Sequence, residues 1–291
     1  MTTPHASPPG GTWTMGDLTV TRVGYGAMQL AGPWVMGPPA DPDGAIAVLR
    51  DVVALGITHI DTSDAYGPRI TNQLIKQALH PYPRSLVIAT KVGARRDDQG
   101  GWPIAREPDQ LRRQIDENLE SLGLDTLELV NLRLGNAEGT QPGSIAEAFE
   151  TLAGLQQEGL IRHLGVSNAT DEQVREAQSI APIACVQNMY NLAHRHDDEL
   201  IDRPANQHIA FVPFFPLGGF SPLQSAALTR VAARLGASTM SVALAWLLQR
   251  SPNTLLIPGT SSIQHLHDNI NGARLALDDE DLAELDQIGR A

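Results

Sequence analysis

Short apolar runs alternate along the chain with longer stretches in which apolar residues recur every three or four positions. Eight of the short runs are rich in β-branched residues and end at glycine or polar residues, which is typical of strands buried on both faces. The predicted strands span 23–28, 57–61, 86–90, 126–132, 161–166, 183–186, 209–212 and 254–257.

The longer stretches have the periodicity of amphipathic helices. One helix is predicted over 108–123, because proline suits its first turn and glycine commonly ends a helix. Capping boxes at Ser144 with Glu147 and at Thr170 with Gln173 predict two further helix starts. Other helical stretches cover 43–55, 71–79 and 239–249.

Eight strand-and-helix units follow one another without a linker, which predicts an α/β fold, a single closed (β/α)8 TIM barrel. The length of 291 residues fits one such barrel of about 250 residues with extensions. An N-terminal hairpin is expected over 13–22, and extra C-terminal helices from Ile263 and Asp279 are expected outside the barrel. We therefore expect a flexible N-terminal segment, 1–12, rich in proline and glycine, and one domain, 13–291.

The formal net charge of the chain is −12 and its pI is about 5.1. Nucleic acids and anionic membranes need a basic face, so the charge argues against both as partners. No apolar run approaches the length of a membrane span, and the N-terminus lacks the basic-then-apolar order of a signal peptide. We expect a soluble, cytoplasmic protein that is a monomer or a weak homo-oligomer.

The single cysteine, Cys185, lies in an apolar run, which predicts a buried core residue and excludes a disulfide within the chain. Histidines at 194, 196, 265 and 267 have a spacing that is also found among metal ligands. No carboxylate pattern completes a known site around them, so no metal is expected.

Polar residues stand at the C-terminal ends of successive predicted strands, where barrel enzymes build their active sites. Tyr66 follows in the loop after the first of them, and the set is Asp61, Lys91, Arg133, Ser167, Asn168 and Gln187. Each alone has an ordinary explanation, such as a helix cap, a surface lysine or a turn residue. Together they predict an active site in which a lysine favours the ionised form of a neighbouring phenol, and Asp61 holds Lys91 in place.

Six motifs occur in a fixed order along nearly the whole chain and are specific as a set. They are Asp61-Thr-Ser-Asp-Ala-Tyr66-Gly67, Thr90-Lys91-Val92, Leu122-Gly-Leu-Asp125, Gly165-Val-Ser167-Asn168, Val186-Gln187-Asn188-Met-Tyr190-Asn191 and Ile257-Pro-Gly-Thr260. In these motifs the chain resembles the aldo-keto reductase superfamily. The resemblance implies a barrel that binds NADP(H) without a Rossmann domain and moves a hydride between nicotinamide and a carbonyl carbon.

The resemblance also implies roles for individual residues. Tyr66 would be the general acid, and Lys91 and Asp61 would tune it. The cofactor would be clamped at its carboxamide by Ser167, Asn168 and Gln187 and stacked on Phe214. Further cofactor contacts are expected from Gly26, Ala27, Met28, Asp61, Phe215, Pro216, Leu217, Gly218, Gly259, Thr260, Ser262, His265, Asp268 and Asn269.

The choice between the two nicotinamide cofactors is open at this stage. Relatives that prefer NADP(H) often carry a lysine and an arginine where this chain has Gly259 and His265. Backbone amides and hydroxyls at the start of the helix near Ile263 nevertheless make a workable phosphate site. NADP(H) is favoured, and NAD(H) remains possible.

Arg133 departs from the family pattern, which usually places a histidine after the fourth strand. An arginine cannot give up its proton, but it can hydrogen-bond a carbonyl oxygen and stabilise charge developing there. We expect Arg133 to take part in catalysis and to contact substrate together with Tyr66 and Trp34. The alternative is that Arg133 turns away and pairs with an acidic neighbour.

The sequence thus predicts an NAD(P)H-dependent oxidoreductase that reduces a ketone or aldehyde, or oxidises the alcohol, with a small-molecule substrate. One alternative is a nicotinamide-binding regulatory or sensor protein with vestigial catalysis. Another is a barrel lyase or isomerase that uses Lys91 as a Schiff base.

Overall fold

The fold is described here from a computed structural model. The described residues are 8–135, 139–205, 207–216, 218 and 224–289. The predictions for Leu217 and for the first seven residues lie outside this part of the chain.

The predicted hairpin is confirmed. Strands β1 (Thr12–Met15) and β2 (Leu18–Thr21) pair antiparallel. Gly16 in the turn has a φ of 60°, a conformation that glycine adopts without strain. Residues 8–11, ahead of β1, are tied to the body of the protein: the Arg22 backbone N–H donates to the Gly11 carbonyl over 2.9 Å.

Seven parallel strands form one sheet in chain order, each hydrogen-bonded to the next. They are β3 (Tyr25–Gly26), β4 (His59–Asp61), β5 (Val87–Val92), β6 (Leu127–Arg133), β7 (Ile161–Ser167), β8 (Ile183–Gln187) and β9 (Ala210–Phe211).

Residues 254–256 close this sheet into a ring, at the position of the predicted eighth strand. Thr254 forms a parallel bridge with Phe211, and Leu256 forms one with Val23. Backbone hydrogen bonds of 2.7 to 2.9 Å join the segment to both neighbours. The predicted barrel is confirmed, with its eighth strand reduced to isolated bridges.

Helices follow the strands and surround the ring. In the described residues they are α1 (Pro42–Ala54), α2 (Ile70–Leu79), α3 (Pro108–Leu122), α4 (Ala146–Gln157), α5 (Asp171–Ile180), α6 (Asp198–Ala205), α7 (Ala226–Leu235), α8 (Thr239–Arg250), α9 (Ile263–Gly272) and α10 (Asp279–Leu285). Taken singly, none of these helices is long and apolar enough to cross a membrane; the bent pair of α7 and α8 passes that test by length and composition alone.

Of the two predicted capping boxes, one is confirmed and the other does not form. The box at Thr170 is confirmed, because its side chain accepts from the Gln173 N–H while the Gln173 side chain accepts from the Thr170 N–H. The box at Ser144 is wrong. The Ser144 hydroxyl donates to the carboxylate of Glu176 on α5, a stronger acceptor, and α4 begins after Ile145 without a side-chain cap.

The first core strand is shorter than the predicted 23–28. After Gly26 the chain leaves the sheet and residues 27–30 form a 3₁₀ helix, which buries Ala27 and Leu30 and leaves Met28 half-buried.

Two apolar clusters hold the fold together. The larger lies between the strands and the surrounding helices, and the smaller fills the barrel interior. At the N-terminal end of the strands, Met15, Leu18 and Val20 of the hairpin join the interior cluster and seal the barrel floor. Cys185 is fully buried in the same cluster, as predicted. The opposite end of the ring carries the polar residues.

Candidate active site

Asp61, Lys91 and Tyr66 meet in a buried hydrogen-bonded group at the carboxyl end of the ring. Asp61 ends β4, Lys91 lies near the end of the adjacent β5, and Tyr66 lies in the turn that follows β4. The Lys91 ammonium donates to Asp61 Oδ1, to the Thr62 carbonyl over 3.0 Å and to the Tyr66 hydroxyl over 3.2 Å. All three N–H groups of the lysine are therefore in use. Each of the three side chains is buried.

Gln187 completes this group from the end of β8. Its Nε2 donates to Asp61 Oδ2 over 2.8 Å, so both carboxylate oxygens of Asp61 have a partner. The buried Gln187 Oε1 has no hydrogen-bond partner within the described residues. Such an acceptor is costly to leave unpaired, and it suits the amide N–H groups of a bound carboxamide.

Ser167 ends β7 beside Gln187, and Asn168 follows it. Ser167 is in register with both Arg133 and Gln187, so the three residues form one row around the ring. Asn168 has a φ of 58°, and its side-chain amide donates to the Gly139 carbonyl over 3.0 Å. The Asn168 amide is thus already engaged by the loop after β6.

Arg133 lies against aromatic rings, and its charge acts on the buried Asp64 without forming an ion pair with it. Its guanidinium carbon is 6.0 Å from the Tyr66 ring centroid and 4.9 Å from that of Trp102. Across the described ranges the half-buried guanidinium has no hydrogen-bond or ion-pair partner. The alternative in which Arg133 turns away to form an ion pair therefore differs from the observed geometry.

A second arginine lies over the same indole. Arg96 is 4.3 Å from the Trp102 centroid, and its N–H groups are occupied by the Trp34 carbonyl at 2.7 Å and by the Met36 sulfur at 3.2 Å. The Trp34 side chain is 85% exposed, so this predicted substrate residue lies at the surface of the carboxyl end of the ring. Its backbone carbonyl is held by Arg96.

Two buried titratable groups flank the site. Burial raises the pKa of Asp64 to about 7, although the positive charges of Arg133 and Arg95 act in the opposite direction. Burial also lowers the pKa of His59 to about 4, so this ring under Asp61 is neutral at physiological pH.

Sequence reasoning did not select Asp64 or Arg96. Asp64 lies two residues before Tyr66 in a motif that was otherwise used, and its position between two assigned residues was the available signal. Arg96 follows β5 in a loop whose path the residue pattern does not fix.

The predicted cofactor residues lie around the remainder of the rim. A Cβ on Gly26 would lie 2.4 Å from the Ile257 carbonyl oxygen, and one on Gly259 would lie 2.6 Å from that of Gly26, so both positions exclude side chains. Phe214 and Phe215 are half-buried, with ring centroids 5.4 Å apart at 83°. Pro216 is buried and Gly218 half-buried.

The start of α9 carries the predicted phosphate contacts. The Thr260 hydroxyl accepts from the Ser262 N–H over 3.0 Å, and the Ser262 hydroxyl caps the helix by accepting from the His265 N–H. His265 and Asp268 are exposed, whereas Asn269 is buried. Hydroxyls and free amides at a helix start fit a phosphate group.

The arrangement of Tyr66, Lys91 and Arg133 is suited to proton transfer to a substrate oxygen whose carbon accepts a hydride. A phenol bonded to a charged lysine can deliver or accept a proton, and an arginine beside it can stabilise a developing oxyanion. The described residues include no group of three or more histidine, cysteine or carboxylate side chains placed to hold a metal ion.

Comparisons with known proteins agree with the fold. The model of the aldo/keto reductase family matches residues 22–290. Pyridoxine 4-dehydrogenase of Escherichia coli is 57% identical over 281 residues, which cover 96% of this chain and 98% of that protein. A thermostable aldo-keto reductase solved with the inhibitor epalrestat is 28% identical, with a TM-score of 0.81 over 95% of this chain and 98% of the other. An aldo-keto reductase of Klebsiella pneumoniae solved with NADPH is 26% identical, with a TM-score of 0.78 over 95% and 94%.

Proposed function

The chain belongs to the aldo/keto reductase family, and from that membership we propose that it is an NADP(H)-dependent oxidoreductase interconverting an aromatic aldehyde and its alcohol. The observation that carries the proposal is the Lys91 ammonium, which hydrogen-bonds both the Asp61 carboxylate and the Tyr66 hydroxyl. This contact gives Tyr66 a fixed cation at its oxygen, as a general acid and base needs.

Tyr66 moves the proton in the proposed reaction. In the reducing direction its hydroxyl donates to the substrate oxygen as that oxygen gains negative charge. The ammonium of Lys91 donates a hydrogen bond to the Tyr66 oxygen that has lost its proton, and Asp61 holds Lys91 in place. In the oxidising direction the same phenolate takes the proton of the alcohol. Arg133, whose guanidinium carbon lies 6.0 Å from the Tyr66 ring centroid, stabilises charge on the substrate oxygen.

The cofactor would be held by residues of several strand ends. Gln187, whose buried Oε1 is unpaired within the described residues, and Ser167 would hold the carboxamide. Phe214 would supply an aromatic face, and Thr260 with Ser262 would hold phosphate. When bound, NADP(H) supplies or accepts the hydride.

The substrate class follows from the most informative relative. Pyridoxine 4-dehydrogenase acts, by its name, on a hydroxymethyl group of a pyridine ring, and 57% identity extends over 96% of this chain. We therefore propose pyridoxine and its aldehyde, pyridoxal, as the first substrate pair to test. Trp102 and Trp34 offer indole surface near the mouth for a flat ring.

The geometry of Lys91 argues against the Schiff-base alternative. A lysine nucleophile needs a free amine, but the three N–H groups of Lys91 are donated to Asp61, Thr62 and Tyr66.

The test is turnover of pyridoxal with NADPH and with NADH, followed by the loss of reduced-nicotinamide absorbance, for wild type and Tyr66→Phe. We expect pyridoxal-dependent oxidation of NADPH in the wild type and a fall of at least about 100-fold in kcat in the variant. Binding of NADPH, measured separately by fluorescence titration, should be unchanged in the variant, because Lys91 is the one hydrogen-bond partner of the Tyr66 hydroxyl among the described residues.

Two other outcomes would contradict the proposed function or the role of Tyr66. Tight NADPH binding without turnover of pyridoxal or any other aldehyde would favour the regulatory or sensor alternative. Turnover that persists in Tyr66→Phe would remove the tyrosine from its proposed role.

A further inference from the structure

Arg133 differs from the arginines around it in what its N–H groups do. Arg95 is paired with Glu117 over 2.8 Å, Arg96 donates to the Trp34 carbonyl, and Arg106 donates to the Leu134 carbonyl over 2.8 Å. Arg133 has no such partner among the described residues. Its donors are thus available to a ligand.

The guanidinium is nevertheless held in place. It lies 4.9 Å from the centroid of Trp102 and 6.0 Å from that of Tyr66, and those two rings are nearly perpendicular, at 80°. Contacts with ring faces orient the plane of a guanidinium without consuming its N–H groups. A half-buried, oriented fork of donors therefore lies next to the proton donor.

A planar fork of this kind recognises two oxygen atoms side by side. Guanidinium groups bind paired oxygens through two parallel N–H···O bonds, which a lysine or histidine cannot reproduce. One of the two oxygens must be the carbonyl oxygen, because Tyr66 has to reach it. The other must be carried by a neighbouring atom of the same substrate.

An aromatic aldehyde with a hydroxyl on the adjacent ring carbon has such a pair, since the two oxygens lie in one plane and close together. Ionisation of that hydroxyl would add a negative charge next to the only guanidinium at the site that is unpaired in the described residues. Lys91 cannot serve the second oxygen, because its donors are already bound.

We propose that Arg133 is a specificity residue that binds the carbonyl oxygen and an adjacent ring oxygen together, so that the enzyme selects ortho-hydroxy aromatic aldehydes. The inference rests on the proposed function and deepens it. In pyridoxal the ring hydroxyl is adjacent to the aldehyde, which places that compound in the same chemical class.

The experiment compares ortho-hydroxybenzaldehyde with para-hydroxybenzaldehyde as substrates, with NADPH, for wild type, Arg133→Gln and Arg133→Lys. The measured quantity is the ratio of kcat/KM for the two isomers. Comparing this ratio between proteins cancels the intrinsic reactivity of each aldehyde. Because a hydrogen bond to a charged group contributes about 1.5–3 kcal/mol, Arg133→Gln should lower the ratio by about 10- to 100-fold. Arg133→Lys keeps the charge but loses the planar pair of donors. Its isomer ratio should therefore lie between those of Arg133→Gln and the wild type.

Arg96→Gln is the matched control. Arg96 stacks on the same indole, but it is tied to the protein through Nε and Nη2, so its replacement should change kcat/KM for both isomers by the same factor. Circular dichroism and NADPH titration of each variant identify any protein that has not folded. If Arg133→Gln fails to fold, Arg133→Lys takes its place in the comparison, because it retains a cation over the indole.

The possible results separate the two proposals. A loss in Arg133→Gln that is equal for both isomers would overturn the inference, because Arg133 would then act on the carbonyl oxygen alone. An Arg133→Gln variant with unchanged kcat/KM for both isomers would overturn it as well. In both cases the wild type still turns over aldehydes and the proposed function stands. Absence of turnover with pyridoxal and with both isomers would instead refute the proposed function, and the inference with it.

Discussion

Lys91 and Asp61 form a salt bridge in which both side chains are about 4% exposed, so each charge depends on the other. Removing one partner of a buried pair leaves an uncompensated charge, which typically costs about 3–5 kcal/mol. We expect Lys91→Met to lower the free energy of unfolding in urea by about that amount. Asp61→Asn should cost less, since its remaining carbonyl oxygen can still accept a hydrogen bond from Lys91.

The double variant, Asp61→Asn with Lys91→Met, tests this account. It removes both charges together, so it should be more stable than Lys91→Met alone. A double variant whose loss equals the sum of the two single losses would show that the charges do not depend on each other. None of the three variants should support catalysis.

Asp64 predicts a pH dependence of stability. Its pKa is raised from 3.8 to about 7 by burial, so the folded protein retains a proton that the unfolded chain releases from pH 4 upward. The stability linked to that proton is fully present below the unfolded pKa and is lost as pH rises through the folded value. The charges that act on Asp64 are those of Arg133, Arg95 and Glu117.

Asp64→Asn carries a neutral side chain of the same shape at every pH. The free energy of unfolding of Asp64→Asn, minus that of the wild type, should therefore increase between about pH 5 and about pH 8, at a slope of up to about 1.4 kcal/mol per pH unit. Urea titrations of both proteins at the two pH values measure it. A constant difference would mean that Asp64 is ionised in the folded protein across this range.

At the scale of elements, the strand ends were the most informative part of the sequence. Parallel strands of a closed ring bring their carboxyl ends together, so the order of strands was sufficient to predict that Asp61, Lys91, Arg133 and Gln187 share one rim. Periodicity also located α3 and its end at Gly123, where φ is 68°.

Interactions between elements that are distant in the chain could not be predicted from the sequence. The Ser144 hydroxyl matched a local capping pattern but bonds Glu176, which is distant in the chain and adjacent only in the fold. The stack of Arg133, Trp102 and Arg96 likewise depends on where the loop after β5 returns, and no residue spacing encodes that. Local rules fail where a tertiary partner is the stronger one.

Helix α9 carries a prediction about cofactor choice. His265 is exposed in its first turn, next to the hydroxyls of Thr260 and Ser262. If the extra phosphate of NADPH binds there, His265→Arg should add a charge-assisted hydrogen bond and lower the Kd for NADPH by about tenfold, leaving the Kd for NADH unchanged. Fluorescence titration of both cofactors measures the two constants.

His267→Arg is the control on the same helix. The His267 ring bonds Asp51 Oδ2 over 2.7 Å, so an arginine there gains a nearby carboxylate and should leave both Kd values unchanged. An equal gain in NADPH affinity from both variants would indicate general attraction by positive charge rather than a phosphate contact at His265.

In the whole molecule, the apolar residues that stabilise the barrel and the polar residues of the candidate active site lie at opposite ends of the ring. The interior apolar cluster and the hairpin below it fill one end of the ring, and the polar group of Asp61, Lys91 and Gln187 occupies the other. The number and order of units made this architecture predictable. The weak closure through residues 254–256 was not predictable, because a run of apolar residues does not reveal how many ladder bonds it will form.

Met15 tests this separation of the two ends. Its side chain is fully buried in the barrel floor, so Met15→Ala should leave a cavity and lower the free energy of unfolding by about 2–5 kcal/mol. Met240→Ala removes the same atoms from a side chain that is 46% exposed on α8, and it should cost well under about 1 kcal/mol. Urea unfolding measures both losses. Because the floor lies at the N-terminal ends of the strands, kcat/KM of the folded protein should be the same in both variants as in the wild type. A Met15→Ala protein of normal stability but reduced kcat would instead mean that the floor controls the geometry of the rim.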